Sequence, residues 1–155
     1  MNASAGELDD LYRELVADHA KQPRNFREMP DSDHRADGNN PICGDKLTVW
    51  VKVSNGRLVD VCFKGSGCAI STSSASMMTQ AMTGKTLEEA KLLFERFHDL
   101  LTGAADVEPD SGHFGKLAAF AGVRKFPIRV KCATLPWHTL LAALNHAAAL
   151  LPTEK

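Results

Sequence analysis

Nothing in this chain approaches the roughly 20 consecutive apolar residues that a membrane span needs. Its opening stretch, MNASAGELDDLYREL, lacks the basic and apolar regions of a signal peptide. A cytoplasmic location, with no membrane partner, is therefore expected. Charge excess is missing too: 18 Lys and Arg face 19 Asp and Glu, a formal net charge of -1. Nucleic acid is accordingly not the expected partner, since phosphate binding shows as a basic excess or face. The four cysteines, Cys43, Cys62, Cys68 and Cys132, form no CxxC pair, which excludes a zinc ribbon or finger. In a reducing cytosol they are not expected to form stable disulfides. No internal repeat and no linker interrupts the 155 residues. One domain spanning residues 1–155, with a core of its own, is the expectation.

Several elements are legible. Residues 4–20 read as an amphipathic helix. Ser4 and Glu7 form a capping-box pattern, and Leu8, Leu11, Tyr12, Leu15, Val16 and His19 recur at helical spacing. From Lys21 to Asp45 the periodicity vanishes, and Pro23, Pro30, Gly38 and Pro41 suggest a long loop. Leu47, Val49, Val51 and Val53 then alternate with polar residues, Asn55-Gly56 follows, and Val59, Val61 and Phe63 alternate again. This is a β-hairpin with a type I′ turn. Cys62 falls opposite the main apolar set and reads as a small packed hydrophobe. Ala69–Met82 reads as a helix ended by Gly84, with a hydroxylic first half. Thr86 and Glu89 open another helix that Gly103 closes. Residues 103–115 read as an acidic surface loop, and Leu117–Val123 as a short apolar helix. Phe126–Cys132 alternates in a way that suits a short third strand. Thr134, Leu135 and Pro136 read as the start of a last helix reaching about residue 151. The expected class is α+β, a small antiparallel sheet (the hairpin plus a short third strand) packed against helices.

The chemistry gathers around Asn40-Pro41-Ile42-Cys43-Gly44-Asp45. A thiol and a carboxylate two residues apart, in a bent chain, can reach one small cation, and zinc accepts sulfur and oxygen together. Cys68 follows Gly65-Ser66-Gly67 beside a helix start, where the helix dipole favours its thiolate. Cys132 precedes another expected helix start. Cys43, Asp45, Cys68 and Cys132 are therefore expected to meet. His34 and His113 fall in predicted loops, and His98, His138 and His146 on helices; none is counted as a ligand.

Three motifs, Pro41-Ile42-Cys43-Gly44-Asp45, Gly65-Ser66-Gly67-Cys68-Ala69-Ile70-Ser71 and Arg129-Val130-Lys131-Cys132-Ala133-Thr134-Leu135, resemble in kind and order the U-type iron–sulfur assembly proteins, most closely the SufU branch. The resemblance runs from about residue 7 to 150 and implies the compact IscU/SufU-like fold. It implies Zn²⁺ held by Cys43, Asp45, Cys68 and Cys132. IscU-type scaffolds carry histidine immediately before the third motif cysteine, where this chain has Lys131, and the long segment between Cys68 and Cys132 is SufU-like. Both features favour a zinc-dependent, sulfurtransferase-like acceptor of persulfide sulfur from a SufS-type cysteine desulfurase, with an iron–sulfur scaffold as a downstream partner. Cys43 is the expected acceptor. Arg129 and Lys131, on one face if their segment is extended, are expected to offset the site's negative charge. The alternatives are a scaffold holding a transient Fe–S cluster on the same cysteines, and a purely structural zinc module, against which Asp45 argues.

Overall fold

The computed structural model describes residues 5–42, 44–103 and 115–147. Helix α1 (Ala5–Lys21) is followed by strands β1 (His34–Asn40), β2 (Asp45–Ser54) and β3 (Arg57–Ser66). Helices α2 (Ala69–Met82) and α3 (Leu87–Thr102), a 3₁₀ segment (Gly115–Lys125) and α4 (Pro127–Ala147) complete the order. The strands form one antiparallel sheet in the order β1-β2-β3. No described helix is long and apolar enough to cross a membrane.

The hairpin forms as its alternation dictates. Asn55 and Gly56 both take positive φ, 54° and 74°, as a type I′ turn requires. Leu47, Val49, Val51, Val61 and Phe63 line the inner face and are buried, with Leu58 joining them beyond a register shift at Lys52/Val53. Against this face pack Met78 and Met82 of α2 and Trp137, Leu140 and Leu144 of α4. On the opposite face Trp50 and Cys62, paired across β2 and β3, bury a small separate cluster with Met29. The outer edge of β3 is covered by the chain before β1: the Arg27 N–H donates to the Phe63 carbonyl and the Phe63 N–H to the Asn25 carbonyl.

Helix α2 is central, which explains its hydroxylic residues. Ser73, Ser74, Ser76 and Thr79 are fully buried, and each is bonded. Ser74 Oγ donates to the Ala133 carbonyl at 2.5 Å and accepts from Trp137 Nε1 at 3.0 Å. Ser76 Oγ lies 2.6 Å from His19 Nδ1 and accepts the Arg24 N–H, tying α1 to α2. The Thr86/Glu89 capping box is present at the start of α3.

Four expectations need correction. The third strand is not Phe126–Cys132. It is β1, drawn from the stretch read as a loop, and it pairs with β2 from His34↔Val51 to Asn40↔Asp45. Its buried side is small because α4 lies on it: a Cβ at Gly38 would collide with Thr139 Oγ1. Phe126–Cys132 instead enters α4, with Pro127 at the first helical position, where a missing N–H costs nothing. Pro136 is therefore inside that helix rather than at its start, and Cys132 sits in its second turn. Arg129 and Lys131 consequently do not share a face, since two helical steps turn the side chain by roughly 200°. His34 opens β1 rather than lying in a loop. Ser4, His113 and the tail beyond Ala147 lie outside the described residues, as do residues 104–114 of the expected acidic loop.

Candidate metal centre

Three element ends converge at one end of the sheet. Asp45 is the first residue of β2 and pairs with Asn40, the last of β1. Between them the chain turns back through a tight loop in which Gly44 takes φ +75° and its N–H donates to the Asn40 carbonyl. Cys68 follows β3 by two residues and is the N-cap of α2: the Ser71 N–H donates to its Sγ at 3.4 Å. Cys132 projects from α4. One ligand atom from each of Asp45, Cys68 and Cys132 lies within 4.8 Å of the others.

The surroundings suit a cation. The Asp45 carboxylate is fully buried, yet no Lys or Arg among the described residues forms an ion pair with it. Its Oδ1 accepts the Cys68 N–H at 2.8 Å, and its Oδ2 lies 3.9 Å from Cys68 Sγ. A buried carboxylate without a counter-charge is costly. A Cβ at Gly67 would come within 2.6 Å of Asp45 Oδ1, so only glycine lets the β3–α2 connection pass this close. Cys132 is buried and Cys68 half-buried, which leaves access from the Cys68 side. Two thiols and a carboxylate in this cradle match the donor set of a zinc-like cation.

Of the sequence-predicted site residues, the structure brings together Asp45, Cys68 and Cys132; Cys43 lies outside the described residues. Arg129 and Lys131 are both exposed near the site, and the Arg129 guanidinium stacks 4.7 Å from the Phe126 ring centroid. Cys62 is apart and fully buried, and desolvation pushes its thiol up to about 11. A thiol so held is neither a ready ligand nor a nucleophile. Two polar groups escaped the sequence reading. The Tyr12 hydroxyl is buried without a hydrogen-bond partner. Burial raises its pKa; Arg129 opposes this, and Cys68 and Cys132 add to it, which sets Tyr12 electrostatically beside the site. Asn40 is buried with its Nδ2 unpaired. Nothing in the polar Asn39-Asn40 dipeptide signals that burial.

The chain matches the family described as NifU-like N terminal domain over residues 11–133. It belongs to that family. At 45% identity over 133 residues, 86% of this chain and 88% of the relative, it is similar to the zinc-dependent sulfurtransferase SufU of Bacillus subtilis. At 40% identity over 142 residues, 92% of this chain and 87% of the relative, it is similar to the iron–sulfur cluster assembly scaffold protein IscU of Streptococcus pyogenes serotype M1. Among solved structures, an iron–sulfur cluster assembly scaffold protein for the SUF system from Fervidobacterium islandicum AW-1 superposes with a TM-score of 0.79 at 33% identity, covering 87% of this chain and 97% of the other. The chain is thus a member of the IscU/SufU group, whose α+β fold it shares.

Proposed function

We propose that this protein acts in iron–sulfur cluster assembly as a zinc-dependent sulfur acceptor, taking persulfide sulfur from a cysteine desulfurase of the SufS type and passing it to a downstream scaffold. The observation that carries this reading is the convergence of Asp45, Cys68 and Cys132 on one buried, uncompensated carboxylate. Similarity to a relative named as a zinc-dependent sulfurtransferase supports it. Cys43, two residues from Asp45, is assigned as the fourth ligand and as the acceptor. Bound Zn²⁺ would keep the cysteine ligands deprotonated at neutral pH.

The residues divide the work. Asp45 and Cys68 sit at element ends and Cys132 in the second turn of α4, and these three anchor the metal; Cys43, between β1 and β2 along the chain, is the nucleophile. Three thiolates, a carboxylate and Zn²⁺ sum to a formal charge of about -2. Arg129 and Lys131 offset it from different sides of the first turns of α4. In the transfer itself, the Cys43 thiolate attacks the outer sulfur of the desulfurase persulfide. A new S–S bond forms on Cys43, and the old S–S bond breaks. The desulfurase cysteine leaves as thiolate with the electron pair, so no external oxidant or reductant is needed.

A second reading, a scaffold that holds an Fe–S cluster on the same cysteines, draws on the relatives named IscU. Lys131, in the place where IscU-type scaffolds carry histidine, disfavours it. Metal analysis and the absorption spectrum of the purified protein separate the two. About one zinc per chain and faster desulfurase turnover in its presence are expected. A stable visible band with stoichiometric iron and acid-labile sulfide would overturn the zinc reading.

A further inference from the structure

Asn40 ends β1 and stands opposite Asp45 in the strand register. Residues paired in this way carry their side chains on one face, with Cβ atoms about 5 Å apart. Both side chains point inward, at 8% and 0% exposure. From α4, Ile128 and Lys131 border the same small cleft as Asn40, and Ile128 stands one helical turn before Cys132. The Asn40 side chain thus lies among the segments that bring Asp45 and Cys132 to the centre. Its neighbour Asn39 points to the other face of the sheet and is exposed.

The amide of Asn40 has a fixed orientation. Its Oδ1 accepts the Ile42 N–H at 3.2 Å, and its backbone carbonyl accepts the Gly44 N–H at 2.8 Å. Side chain and backbone together shape the β1–β2 connection, and Nδ2 is left on the other side of the amide. An amide nitrogen of this kind can only donate. Asn40 Nδ2 has no accessible surface and no hydrogen-bond partner. Buried donors in folded proteins are seldom left unmet, and one shut off from solvent must be met from within. Asp45 Oδ1 already accepts the Cys68 N–H. The strong acceptors that the centre can add are its sulfurs, because metal ligation turns each cysteine from S–H into S⁻. A donor facing an anion makes a stronger hydrogen bond than one facing a neutral group.

We propose that Asn40 is a positioning residue of the metal centre, its Nδ2 donating to a ligand thiolate of the loaded site while its Oδ1 holds the β1–β2 connection. The proposal rests on the metal-centre reading and adds to it a residue that does not touch the metal. Such outer partners orient ligands and tune the metal. A donor here favours the deprotonated cysteine, which tightens metal binding at neutral pH. It also draws charge from the sulfur, so part of the formal charge of about -2 on the loaded set is countered inside the fold, where neither Arg129 nor Lys131 is buried.

The test begins with the wild type and needs no variant. The full chain is labelled with ¹⁵N and loaded with ¹¹³Cd, about one ion per chain, a metal that shows scalar coupling across an N–H···S bond. One Asn40 Hδ2 proton should couple to ¹¹³Cd, and its resonance is assigned by its absence from the spectrum of Asn40→Asp. Asn40→Asp keeps an oxygen for the Ile42 N–H and removes the donor; Asn40→Ala removes the donor without adding charge. Both should weaken zinc binding about tenfold or more in chelator competition. With Co²⁺ in place of zinc, both should move the sulfur-to-metal charge-transfer band to longer wavelength, since a thiolate without its hydrogen bond gives up charge more easily. Asn39→Asp places the same charge one residue away on the exposed face, and should keep wild-type affinity and band position.

A ¹¹³Cd-loaded wild type whose Asn40 amide shows no coupling to the metal would overturn the proposal while leaving the metal centre intact. Wild-type zinc affinity and an unmoved Co²⁺ band in both Asn40 variants would do the same. A wild-type chain that takes up neither zinc nor cadmium would instead bring down the metal-centre reading, and the role of Asn40 with it.

Discussion

Cys62 and the Cys68/Cys132 pair stand on opposite faces of the fold, and the contrast shows what makes a thiol useful. Cys62 lies under Trp50 and Met29 with no exposed surface, and burial is the main force that holds its proton, with Arg27 opposing and Asp60 and Asp31 adding to it. Cys68 caps a helix, receives the Ser71 N–H and neighbours the Asp45 carboxylate; Cys132 faces them from α4. The side chain is identical, so the surroundings decide between a packing residue and a ligand. Convergence of donors, not cysteine content, marks the centre.

The largest blow to this contrast should come from Cys132→Ala or Asp45→Ala. Each removes an anchor that joins β2, α2 and α4, and metal binding of this kind contributes folding free energy. Loss of zinc and a melting temperature lower by about 10 °C or more are expected by metal analysis and calorimetry, and chelation of the wild type should do the same. A verified metal-free protein that melts where the wild type does would show these thiols to be mere packing, like Cys62.

Cys43→Ala should divide the two roles of the ligand end. With Asp45, Cys68 and Cys132 in place, the fourth position can be taken by water, as in open zinc sites. Partial zinc and most of the stability should remain, while sulfur acceptance is lost. Mass spectrometry after incubation with desulfurase and cysteine should find about 32 Da, one sulfur atom, added to the Cys43 peptide of the wild type and none on the variant. Full stimulation of the desulfurase by Cys43→Ala would shift the acceptor role to Cys68 or Cys132.

On the other face, Cys62→Ala should cost about 1–2 kcal/mol by denaturant titration, the cavity left by one small buried group. Zinc content and sulfur acceptance should equal those of the wild type. A loss of either would erase the distinction between the two regions.

The finest test is pH. The folded Cys62 thiol titrates at about 11 against an ordinary value of 9.0. Over that interval the unfolded chain releases this proton first, so it binds fewer protons than the folded one and stability falls as pH rises. Below pH 9 this contribution is fully present. By pH 11 the wild type should have lost up to about 2 kcal/mol more than Cys62→Ala does over the same range. Parallel stability–pH curves for the two proteins would show that burial does not hold the proton.

The contrast between the faces also explains what was legible in the sequence. The hairpin, α2 and the capped start of α3 announced themselves because their apolar spacing, turn pair and caps all agree. Strand β1 did not. Its inward positions include Ala36, Gly38 and Asn40, small or polar because α4 presses on them and the metal end lies beyond. The start of α4 misled in the opposite sense: Ile128 and Val130 alternate with Arg129 and Lys131 like a strand, but Ile128 faces solvent rather than a core. Apolar periodicity reports burial, so an exposed isoleucine corrupts it. Asp45, Cys68 and Cys132 were legible through their motifs. The burial of Asn40 and the unmet Tyr12 hydroxyl were not, since they depend on which elements finally meet.

The separation of the ligands along the chain sets a timetable. During synthesis Asp45 and Cys68 emerge with the hairpin and α2, while Cys132 arrives only with the last helix described here. A nascent chain ending near Gly103 holds two of these three donors and neither the tryptophan nor the leucines of α4 that close the core over the sheet. Domains gain their stability as units once the distant segments are in hand. A metal held by these three donors would require that translation has passed Cys132 and that α4 has docked, and a product truncated before that point lacks one of the three.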